Sequence, residues 1–330
     1  MRVLVAGASG AIGRAVVAEL VRGGHDVVGL ARGQAGADVV TSLGAQPVVA
    51  DVLDRDGLLR ALDGTTADAV VHEATALKKA PTHYRGSGIT ATNRLRTTGT
   101  AHLLEAARLV GATRFVVQSM VFGYGFVDHG PDLVTEDRPF GRARGAKSDA
   151  ATAAFASAEA QALAAGGIAL RYGFVYGQGP ASDRIVSLLR RRAFPVPRGG
   201  GGSLGWLFVD DAATATRAAV ERGRAGQAYN VVDDEPARWG EVFDAMADAA
   251  GAHRPPRVPG GLMRLIAPFL ADQMIGTSMR VSNAKAGDEL GWRPSVPTFR
   301  HGMEAGRRAW RTPGSLSSPG PAGSRRTPRS

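Results

Sequence analysis

Short apolar runs alternate with amphipathic stretches of helical length through about the first half of the chain. An unbroken apolar run is typical of a strand buried on both faces, and helices between such strands indicate a parallel sheet. Because crossovers between parallel strands are right-handed, the pattern predicts an α/β fold with a doubly wound parallel sheet. The predicted strands are 3–6, 25–31, 45–50, 69–72, 114–118 and 168–172, and the predicted helices are 15–22, 54–62, 93–110 and 150–165.

A glycine-rich turn follows the first strand directly. The first glycine of such a motif permits a tight turn, the second lets the backbone approach a pyrophosphate, and the third lets the helix pack closely on the strand. Phosphates bind at the helix N-terminus, where free N–H groups and the helix dipole favour anions. The sequence therefore predicts a dinucleotide site. Its phosphate-binding residues are predicted to be Gly7, Ser9, Gly10, Ala11, Ile12 and Gly13.

The alternation loosens beyond residue 177, where stretches rich in proline and glycine occur at 194–205 and 253–261. We expect residues 1–176 to form the dinucleotide-binding domain, with 206–235 returning to it. Residues 177–205 and 236–311 are then a smaller C-terminal substrate lobe. The Pro/Gly/Ser-rich segment 312–330 contains no acidic residue and is predicted to be a disordered tail.

Composition narrows the possible partners. The chain has no cysteine, and its seven histidines show no metal-ligand spacing, so we expect no metal site. Four of the ten net positive charges lie at the C-terminal end, and no basic stretch interleaved with aromatics occurs, so nucleic acid is not an expected partner. No segment is long and apolar enough to span a bilayer. We expect a soluble, cytoplasmic protein with a small-molecule substrate.

The end of the second predicted strand indicates which dinucleotide binds. A carboxylate at this position accepts hydrogen bonds from the adenosine ribose in enzymes that use NAD. Here Arg32 follows the neutral residue Ala31. A guanidinium makes charge-assisted contacts with a 2′-phosphate, so Arg32, together with Arg14, predicts NADPH/NADP as cofactor. The alternative is that Arg32 is only a solvated charge at a strand end.

Several motifs in a fixed order resemble those of extended short-chain dehydrogenase/reductases of the NAD-dependent epimerase/dehydratase family, a Rossmann fold. The resemblance covers about residues 1–310. The matching segments are the glycine motif, Asp51-Val52, Val71-His72-Glu73-Ala74, Asn93 with Gly99-Thr100, residues 170–177, residues 206–211, Tyr229-Asn230-Val231 and residues 289–292.

The resemblance implies further cofactor contacts. Asp51 and Val52 are expected to contact the adenine, and Ala74 and Thr75 to line the ribose and nicotinamide side. The carboxamide of the nicotinamide is expected near Tyr172, Gly173, Phe174 and Val175. Gln118 is also assigned to the cofactor. Many members dimerise through a helix pair, so a homodimer is compatible with the family.

The chain departs from the family at its reaction centre. The family uses a Tyr-x-x-x-Lys pair, in which the lysine lowers the pKa of the phenol so that it exchanges a proton with the substrate oxygen. Alignment on Glu159 places Ala151 and Phe155 at these positions. No tyrosine occurs between Tyr124 and Tyr172, so a shifted alignment does not restore the pair.

Few groups are left as candidates for catalysis. Ser119 lies where the family has its serine or threonine, and we expect it to orient the substrate rather than act as an acid. A structural role as a cap is the alternative. Tyr124 and Tyr176 are candidate substrate contacts, each with core packing as the alternative. Residues 78–87, which include Lys78 and Lys79, are a candidate lid.

Three functions follow from these residues. The first is an NADPH-dependent ketoreductase acting on a polycyclic aromatic ketone, whose neighbouring phenol stabilises the developing alkoxide in place of the missing acid. Atypical members of the family reduce such polyketide ketones in antibiotic biosynthesis. The second is a nucleotide-sugar epimerase or dehydratase, which would need the missing pair. The third is a non-enzymatic NADP-binding sensor.

Overall fold

The computed structural model describes residues 1–77 and 87–311. Its strands are β1 (Arg2–Ala6), β2 (Asp26–Ala31), β3 (Gln46–Val49), β4 (Ala69–His72), β5 (Arg114–Met120), β6 (Asp128–Val134), β7 (Ile168–Tyr172), β8 (Phe174–Tyr176), β9 (Val196–Pro197), β10 (Ser203–Leu204), β11 (Trp206–Phe208), β12 (Ala228–Val231), β13 (Ala237–Arg238), β14 (Arg257–Val258) and β15 (Ser278–Val281).

The helices lie between these strands and dominate the C-terminal part. They are α1 (Ala11–Arg22), α2 (Gln34–Ser42), α3 (Arg55–Ala61), α4 (Ser87–Arg94), α5 (Thr100–Leu109), α6 (Asp149–Ala164), α7 (Pro180–Arg190), α8 (Val209–Arg222), α9 (Trp239–Ala250), α10 (Gly260–Ile266), α11 (Pro268–Ala271), α12 (Ala284–Leu290) and α13 (Phe299–Arg311). A π-helical turn, Leu95–Gly99, joins α4 to α5, and a second one spans Asp272–Gly276.

The central sheet has seven parallel strands in the order β12-β7-β5-β4-β1-β2-β3. The strand order reverses beside β1, and in open α/β sheets a ligand crevice forms at the carboxyl ends of the strands at such a point. The predicted α/β, doubly wound parallel sheet is confirmed.

Alternate residues of the strands supply two cores. Val3 and Val5 of β1 face a core that includes α1 and α8, whereas Leu4 faces a core that includes α5 and α6. This alternation follows from the two-residue period of a strand. Both faces of the sheet are therefore covered, which explains why its strands read as unbroken apolar runs.

Element boundaries differ from the prediction in two informative places. Helix α1 begins at Ala11 rather than at residue 15, because the glycine turn leads into it without a linker. The predicted helix 93–110 is longer and is interrupted by the π-helical turn Leu95–Gly99. A carbonyl in this turn accepts a hydrogen bond from outside the helix, which apolar periodicity does not reveal.

Asp211 ties α8 to the segment before α13. Its side chain is fully buried, and its two carboxylate oxygens accept hydrogen bonds from the N–H of Ser295 (2.8 Å), the hydroxyl of Ser295 (2.6 Å) and the N–H of Val296 (3.0 Å). Bonds to a buried charged group contribute more to stability than neutral ones. This carboxylate therefore fixes the C-terminal segments against the sheet domain.

We expect Asp211→Asn to lower the free energy of unfolding by about 2–3 kcal/mol, because an amide replaces one acceptor by a donor that faces N–H groups. Urea unfolding followed by circular dichroism measures the change. The exposed neighbour Asp210 provides the control, and Asp210→Asn should be close to wild type. Equal stability of Asp211→Asn and Asp210→Asn would contradict this role.

Candidate active site

The glycine turn between β1 and α1 is packed so closely that side chains do not fit. Gly7 has a φ of +86°, and a β-carbon there would lie 2.7 Å from the backbone nitrogen of Ala74. A β-carbon on Gly13 would lie 2.1 Å from the carbonyl oxygen of Gly7. These two contacts press the turn against the ends of β1 and β4, which is the arrangement that brings a backbone close to a phosphate.

The N-terminus of α1 is suited to an anion. Gly10 precedes the helix and offers no side-chain cap, so the first N–H groups of α1 keep their hydrogen-bonding capacity for a ligand. Arg14 stabilises the turn, because its Nε donates a hydrogen bond to the carbonyl oxygen of Ser9 at 2.9 Å. The residues present therefore fit the diphosphate of a dinucleotide.

The loop after β2 lies beside the same turn. Arg32 is exposed at the end of β2, and a β-carbon on Gly36 would lie 3.1 Å from Ser9 Oγ. No ion pair of Arg32 is recorded within the described ranges. Asp51, after β3, is exposed and accepts a hydrogen bond from the N–H of Leu53 at 2.9 Å. The predicted adenosine contacts thus lie on neighbouring strand ends of one side of the sheet.

His72 connects the end of β4 to the π-helical turn. Its Nδ1 accepts from the N–H of Ala74 at 3.2 Å, and its Nε2 lies 3.2 Å from the carbonyl oxygen of Leu95. Burial lowers the pKa of His72 to about 4, so the ring is neutral and its Nε2–H donates to Leu95. The imidazole therefore fixes the backbone of Ala74, a predicted cofactor contact that Thr75 follows.

Glu73 and Tyr172 form a buried chain of hydroxyl groups on the other face of the sheet. The Tyr172 hydroxyl lies 3.0 Å from Glu73 Oε1 and 2.5 Å from Thr216 Oγ1, and Thr216 donates to the carbonyl of Ala212 at 2.8 Å. Burial raises the pKa of Glu73 to about 8. A protonated Glu73 gives every hydroxyl in the chain an acceptor, because it donates to Tyr172, which then donates to Thr216.

The predicted nicotinamide contacts at 172–175 differ in how much of each residue is left accessible to a ligand. The Tyr172 side chain is fully buried and engaged with Glu73, so only its backbone is left for a ligand. Gly173 is packed tightly, since a β-carbon there would lie 2.5 Å from the carbonyl oxygen of Gly205, whereas Phe174 and Val175 are half-buried. Contact of these residues and of Gln118, which is 7% exposed, with a cofactor stays a prediction.

Ser119 lies at the end of β5 on the face that α5 and α6 cover. Val117 belongs to the core on that face, and Ser119 follows it by two residues. The Ser119 side chain is fully buried, and its hydroxyl has no hydrogen-bond partner within the described residues. A buried hydroxyl without a partner costs free energy, so this one is available to a bound molecule.

Helix α6 contains neither tyrosine nor lysine. Ala151 and Phe155, at the positions of the family pair by the sequence alignment, are each 3% exposed. The Phe155 ring carries the guanidinium of Arg96, whose central carbon lies 3.8 Å from the ring centroid. Burial lowers the pKa of Arg96 to about 9, so it remains a cation at neutral pH. Arg96 was not predicted from the sequence as a site residue, although it shares a helix face with the core residue Leu103, seven positions later.

Tyr124 is committed to an internal network. Its hydroxyl donates to Asn230 Oδ1 at 2.8 Å and accepts from Arg171 Nη1 at 2.8 Å, while Arg171 also pairs with Glu159 at 2.8 Å. Burial raises the pKa of Tyr124 to about 12. Use of this hydroxyl by a substrate would break a buried charge network, so its predicted substrate contact would have to come from elsewhere on the residue.

Tyr176 faces the C-terminal helix. A β-carbon on Gly302 of α13 would lie 2.2 Å from the Tyr176 hydroxyl oxygen, and the ring packs edge-on against Trp206 and Phe208. Burial raises the pKa of this phenol above its usual range. The Tyr176 hydroxyl has no hydrogen-bond partner within the described residues, whereas that of Tyr124 is engaged, and contact of either residue with a substrate stays a prediction.

Partly buried apolar side chains pack against the core that contains Trp206 and Trp239. They are Met120, Phe126, Phe174 and Ile275. Phe126 stacks on Phe122 with ring centroids 5.2 Å apart. The division into a sheet domain and a C-terminal substrate lobe stays a prediction.

Some predictions concern absences or undescribed residues. Within the described ranges, no three histidine or acidic side chains are grouped so that they could hold a metal ion. No helix in the same ranges is both long and apolar enough to cross a membrane. The candidate lid at 78–86 and the tail at 312–330 lie outside the described residues.

Comparisons with known proteins place this architecture among nicotinamide enzymes. The model of the NAD dependent epimerase/dehydratase family matches residues 3–232. The chain is 39% identical over 311 residues to the 3-diazoavenalumate denitrifying reductase of a Streptomyces species, covering 92% of this chain and 99% of that protein. It is 26% identical to the 4-hydroxy-2-methyl-3-oxo-4-farnesyl-3,4-dihydroquinoline-1-oxide ketoreductase of Stigmatella aurantiaca, covering 94% and 96%.

A solved structure extends this similarity to the bound cofactor of a neighbour. The UDP-glucose 4-epimerase of Thermus thermophilus, solved as a complex with NAD, superimposes with a TM-score of 0.73 at 27% identity. The match covers 96% of this chain and 100% of the epimerase. These findings support a nicotinamide dinucleotide as the cofactor of the glycine-turn site.

The buried carboxyl of Glu73 predicts a pH-dependent stability. Its pKa is higher in the folded protein than in the unfolded chain, so the folded state is favoured most below the unfolded value and loses stability as pH rises towards 8. Glu73→Gln cannot ionise, and we expect it to be more stable than wild type at pH 9 by about 2 kcal/mol or more.

Urea unfolding at pH 5, 7 and 9 measures this difference. The exposed Glu304 provides a control, since Glu304→Gln should follow the wild-type pH dependence. A difference between Glu73→Gln and wild type that is the same at pH 5 and pH 9 would show that Glu73 is ionised in the folded protein.

Proposed function

The chain belongs to the NAD dependent epimerase/dehydratase family, and from that membership we propose that it is a reductase that passes hydride to a phenol-bearing aromatic substrate without a protein acid. The family and the reductase relatives support an oxidoreductase-type enzyme. The two reductase relatives match nearly the whole chain, and each is named for a small-molecule substrate.

The observation that carries the proposal is the apolar replacement on α6. Ala151 and Phe155 cannot donate a proton, and Ser119 is a poor acid. The four described tyrosines are buried: Tyr124, Tyr172 and Tyr229 have hydrogen-bond partners, and Tyr176 faces α13. The fifth, Tyr84, lies outside the described residues. A reaction that needs no proton from the protein suits this centre best.

When bound, the nicotinamide cofactor supplies a hydride, which is two electrons and one proton, to an electrophilic atom of the substrate. An aromatic diazonium that gains this hydride at its terminal nitrogen becomes an aryl diazene. The diazene loses N₂ when its N–H proton leaves, the C–N bond breaks and the ring carbon takes up one proton in exchange. No further proton is consumed. The 39% relative is named for a denitrifying reduction of a diazo compound, so we favour an aromatic diazo group as the acceptor.

A phenol-flanked ketone is the second candidate. A ketone that gains hydride needs a proton on its oxygen, and a neighbouring phenol of the substrate can supply it or hold the alkoxide. The relative named as a ketoreductase favours this acceptor, and an angucyclinone-like polyketide ketone of antibiotic biosynthesis is the form of it expected from the sequence. Ser119 would orient either acceptor through its unpartnered hydroxyl.

The epimerase or dehydratase alternative fits the family but not the centre. Its sugar hydroxyl has to lose a proton to a base, and α6 contains neither the tyrosine nor the lysine that do this in the family. Its two carboxylates are engaged, because Glu159 pairs with Arg171 and Asp149 accepts from the N–H groups of Arg144 and Ala146. A sensor that binds the cofactor without turnover remains an outcome of the assay below.

The assay measures NADPH oxidation by the full-length protein with five acceptors: an ortho-hydroxy aromatic diazo compound, the same compound without the hydroxyl, a phenol-flanked polycyclic ketone, a simple ketone and a nucleotide sugar. We expect turnover with the first and, if the second candidate holds, with the third. One N₂ should be released for each NADPH that is oxidised with the diazo acceptor.

Tyr84→Phe tests whether a tyrosine outside the described residues is the acid. We expect a change in turnover of less than about threefold, whereas loss of a general acid costs about 10²- to 10⁴-fold. A large loss in Tyr84→Phe, or conversion of the nucleotide sugar, would contradict the acid-free mechanism. Cofactor binding without turnover on any acceptor would favour the sensor.

NADPH rather than NADH is proposed on Arg32. Its exposed guanidinium at the end of β2 can pair with a 2′-phosphate, beside Ser9 of the glycine turn. We expect Arg32→Ala to reduce the preference for NADPH over NADH by about tenfold or more, because a charge-assisted contact is lost. Cofactor fluorescence titration measures both affinities. The exposed Arg60 on α3 gives a control, and an undiminished preference in Arg32→Ala would contradict the assignment.

A further inference from the structure

Arg96 is a buried cation in the middle of the long helical segment 87–109. It belongs to the π-helical turn Leu95–Gly99 and is 7% exposed. Its Nε is buried and has no hydrogen-bond partner within the described residues. π-helical turns within α-helices occur frequently at functional sites.

No Asp or Glu side chain of the described residues pairs with this charge. No ion pair of Arg96 is formed within residues 1–77 and 87–311, and the remaining segments, 78–86 and 312–330, contain neither Asp nor Glu. Burial of an unpaired charge is costly, and buried charges in proteins are normally paired. The missing anion is therefore expected to come from a molecule that binds the protein.

The guanidinium of Arg96 lies over an aromatic ring and keeps an unused donor. Its central carbon is 3.8 Å from the centroid of the Phe155 ring of α6, and its Nε has no hydrogen-bond partner within the described residues. Arg96 follows Leu95, whose carbonyl binds His72 at the end of β4. His72 pairs with Val117 in the register of β4 and β5, and Ser119 follows on the same face.

We propose that Arg96 binds an ionised oxygen of the aromatic substrate and holds the reacting group at the ends of β4 and β5. Two of the unpartnered polar groups on this face, Arg96 Nε and Ser119 Oγ, then belong to one subsite. The inference rests on the proposed function for the identity of the substrate. It adds an electrostatic contact where the apolar α6 provides no acid.

The cofactor diphosphate is a less suitable partner for Arg96. The phosphate-binding turn follows β1, whereas Ser119 ends β5, which is two strands away in the sheet. Two strand spacings amount to roughly 10 Å. The α1 N-terminus and the backbone of the glycine turn already provide donors for that diphosphate.

The charge has a specific effect on an ortho-hydroxy diazo substrate. An ionised oxygen beside the diazo group delocalises its electrons into that group and makes it a weaker hydride acceptor. A guanidinium on the oxygen keeps the negative charge there, so that the terminal nitrogen stays electrophilic. In a phenol-flanked ketone the same contact stabilises the ionised phenol after it has given up its proton.

The test uses 4-nitrophenol as a chromophoric phenol and nitrobenzene as its uncharged analogue, with the full-length protein saturated with NADP⁺. At a pH one unit below the solution pKa of 4-nitrophenol, we expect binding to raise the ionised fraction, seen as nitrophenolate absorbance. Arg96→Met should abolish this increase and weaken nitrophenol binding by about tenfold or more, with little effect on nitrobenzene.

Two further variants serve as controls. The exposed Arg94, two residues away, should tolerate Arg94→Met without change. Arg96→Gln is a second neutral variant whose amide can still lie on Phe155, and it should show the same loss, which covers the case that Arg96→Met does not fold. NADP⁺ affinity is measured for every variant.

Nitrophenolate binding that is unchanged in the neutral Arg96 variants would overturn the proposal. So would a loss of NADP⁺ affinity in those variants with nitrophenol binding intact, because the anion would then belong to the cofactor. Arg96-dependent nitrophenolate binding without reduction of any aromatic acceptor would support this subsite and remove the proposed reaction. The two conclusions can therefore fail separately.

Discussion

The neutral imidazole of His72 is the contact on which the centre of this site depends. It accepts the N–H of Ala74 and donates to the carbonyl of Leu95, so it joins the end of β4 to a helix 23 residues further along the chain. Protonation would remove the acceptor, and burial opposes it by lowering the pKa to about 4. One ring thus fixes both the backbone beside the glycine turn and the start of the π-helical turn that carries Arg96.

The buried polar groups on the two faces of the sheet differ in charge. On the face of α1 and α8, Glu73 takes up a proton and completes a chain of hydroxyls with Tyr172 and Thr216, so no charge is left. On the face of α5 and α6, Arg96 cannot lose its proton at neutral pH, and Ser119 has no partner within the described residues. The first arrangement carries no charge, although Glu73 Oε2 has no hydrogen-bond partner within the described residues, whereas the second one keeps a buried cation, which is why the chemistry is assigned to the second face.

The sheet could be predicted from the sequence because its strands are continuous apolar runs. The close packing of the glycine turn could be predicted as well, because the spacing of the glycines indicates where two backbone segments approach each other. It also showed that α6 contains neither tyrosine nor lysine, because absence of a residue type is visible without a structure, while the assignment of Ala151 and Phe155 to the positions of the family pair stays a prediction. It was not sufficient for Arg96, since a charged residue in a helix is read as solvated unless its neighbours in space are known. The commitment of Tyr124 to Arg171 and Asn230 was also invisible, because these partners lie 47 and 106 residues away.

A fixed cation and a general acid are not equivalent, and the difference constrains the chemistry. An acid ends the reaction by giving up a proton, so it suits a product whose oxygen must be protonated. A guanidinium on Phe155 keeps its proton and only stabilises negative charge, so it suits a substrate that is an anion from the start. A diazophenolate meets that condition and then loses N₂, a step that no protein group has to assist. In place of the family's proton donor this chain has apolar positions on α6 and the cation of Arg96. That combination suits the reduction of a diazophenolate and is more than the loss of the family's acid–base chemistry.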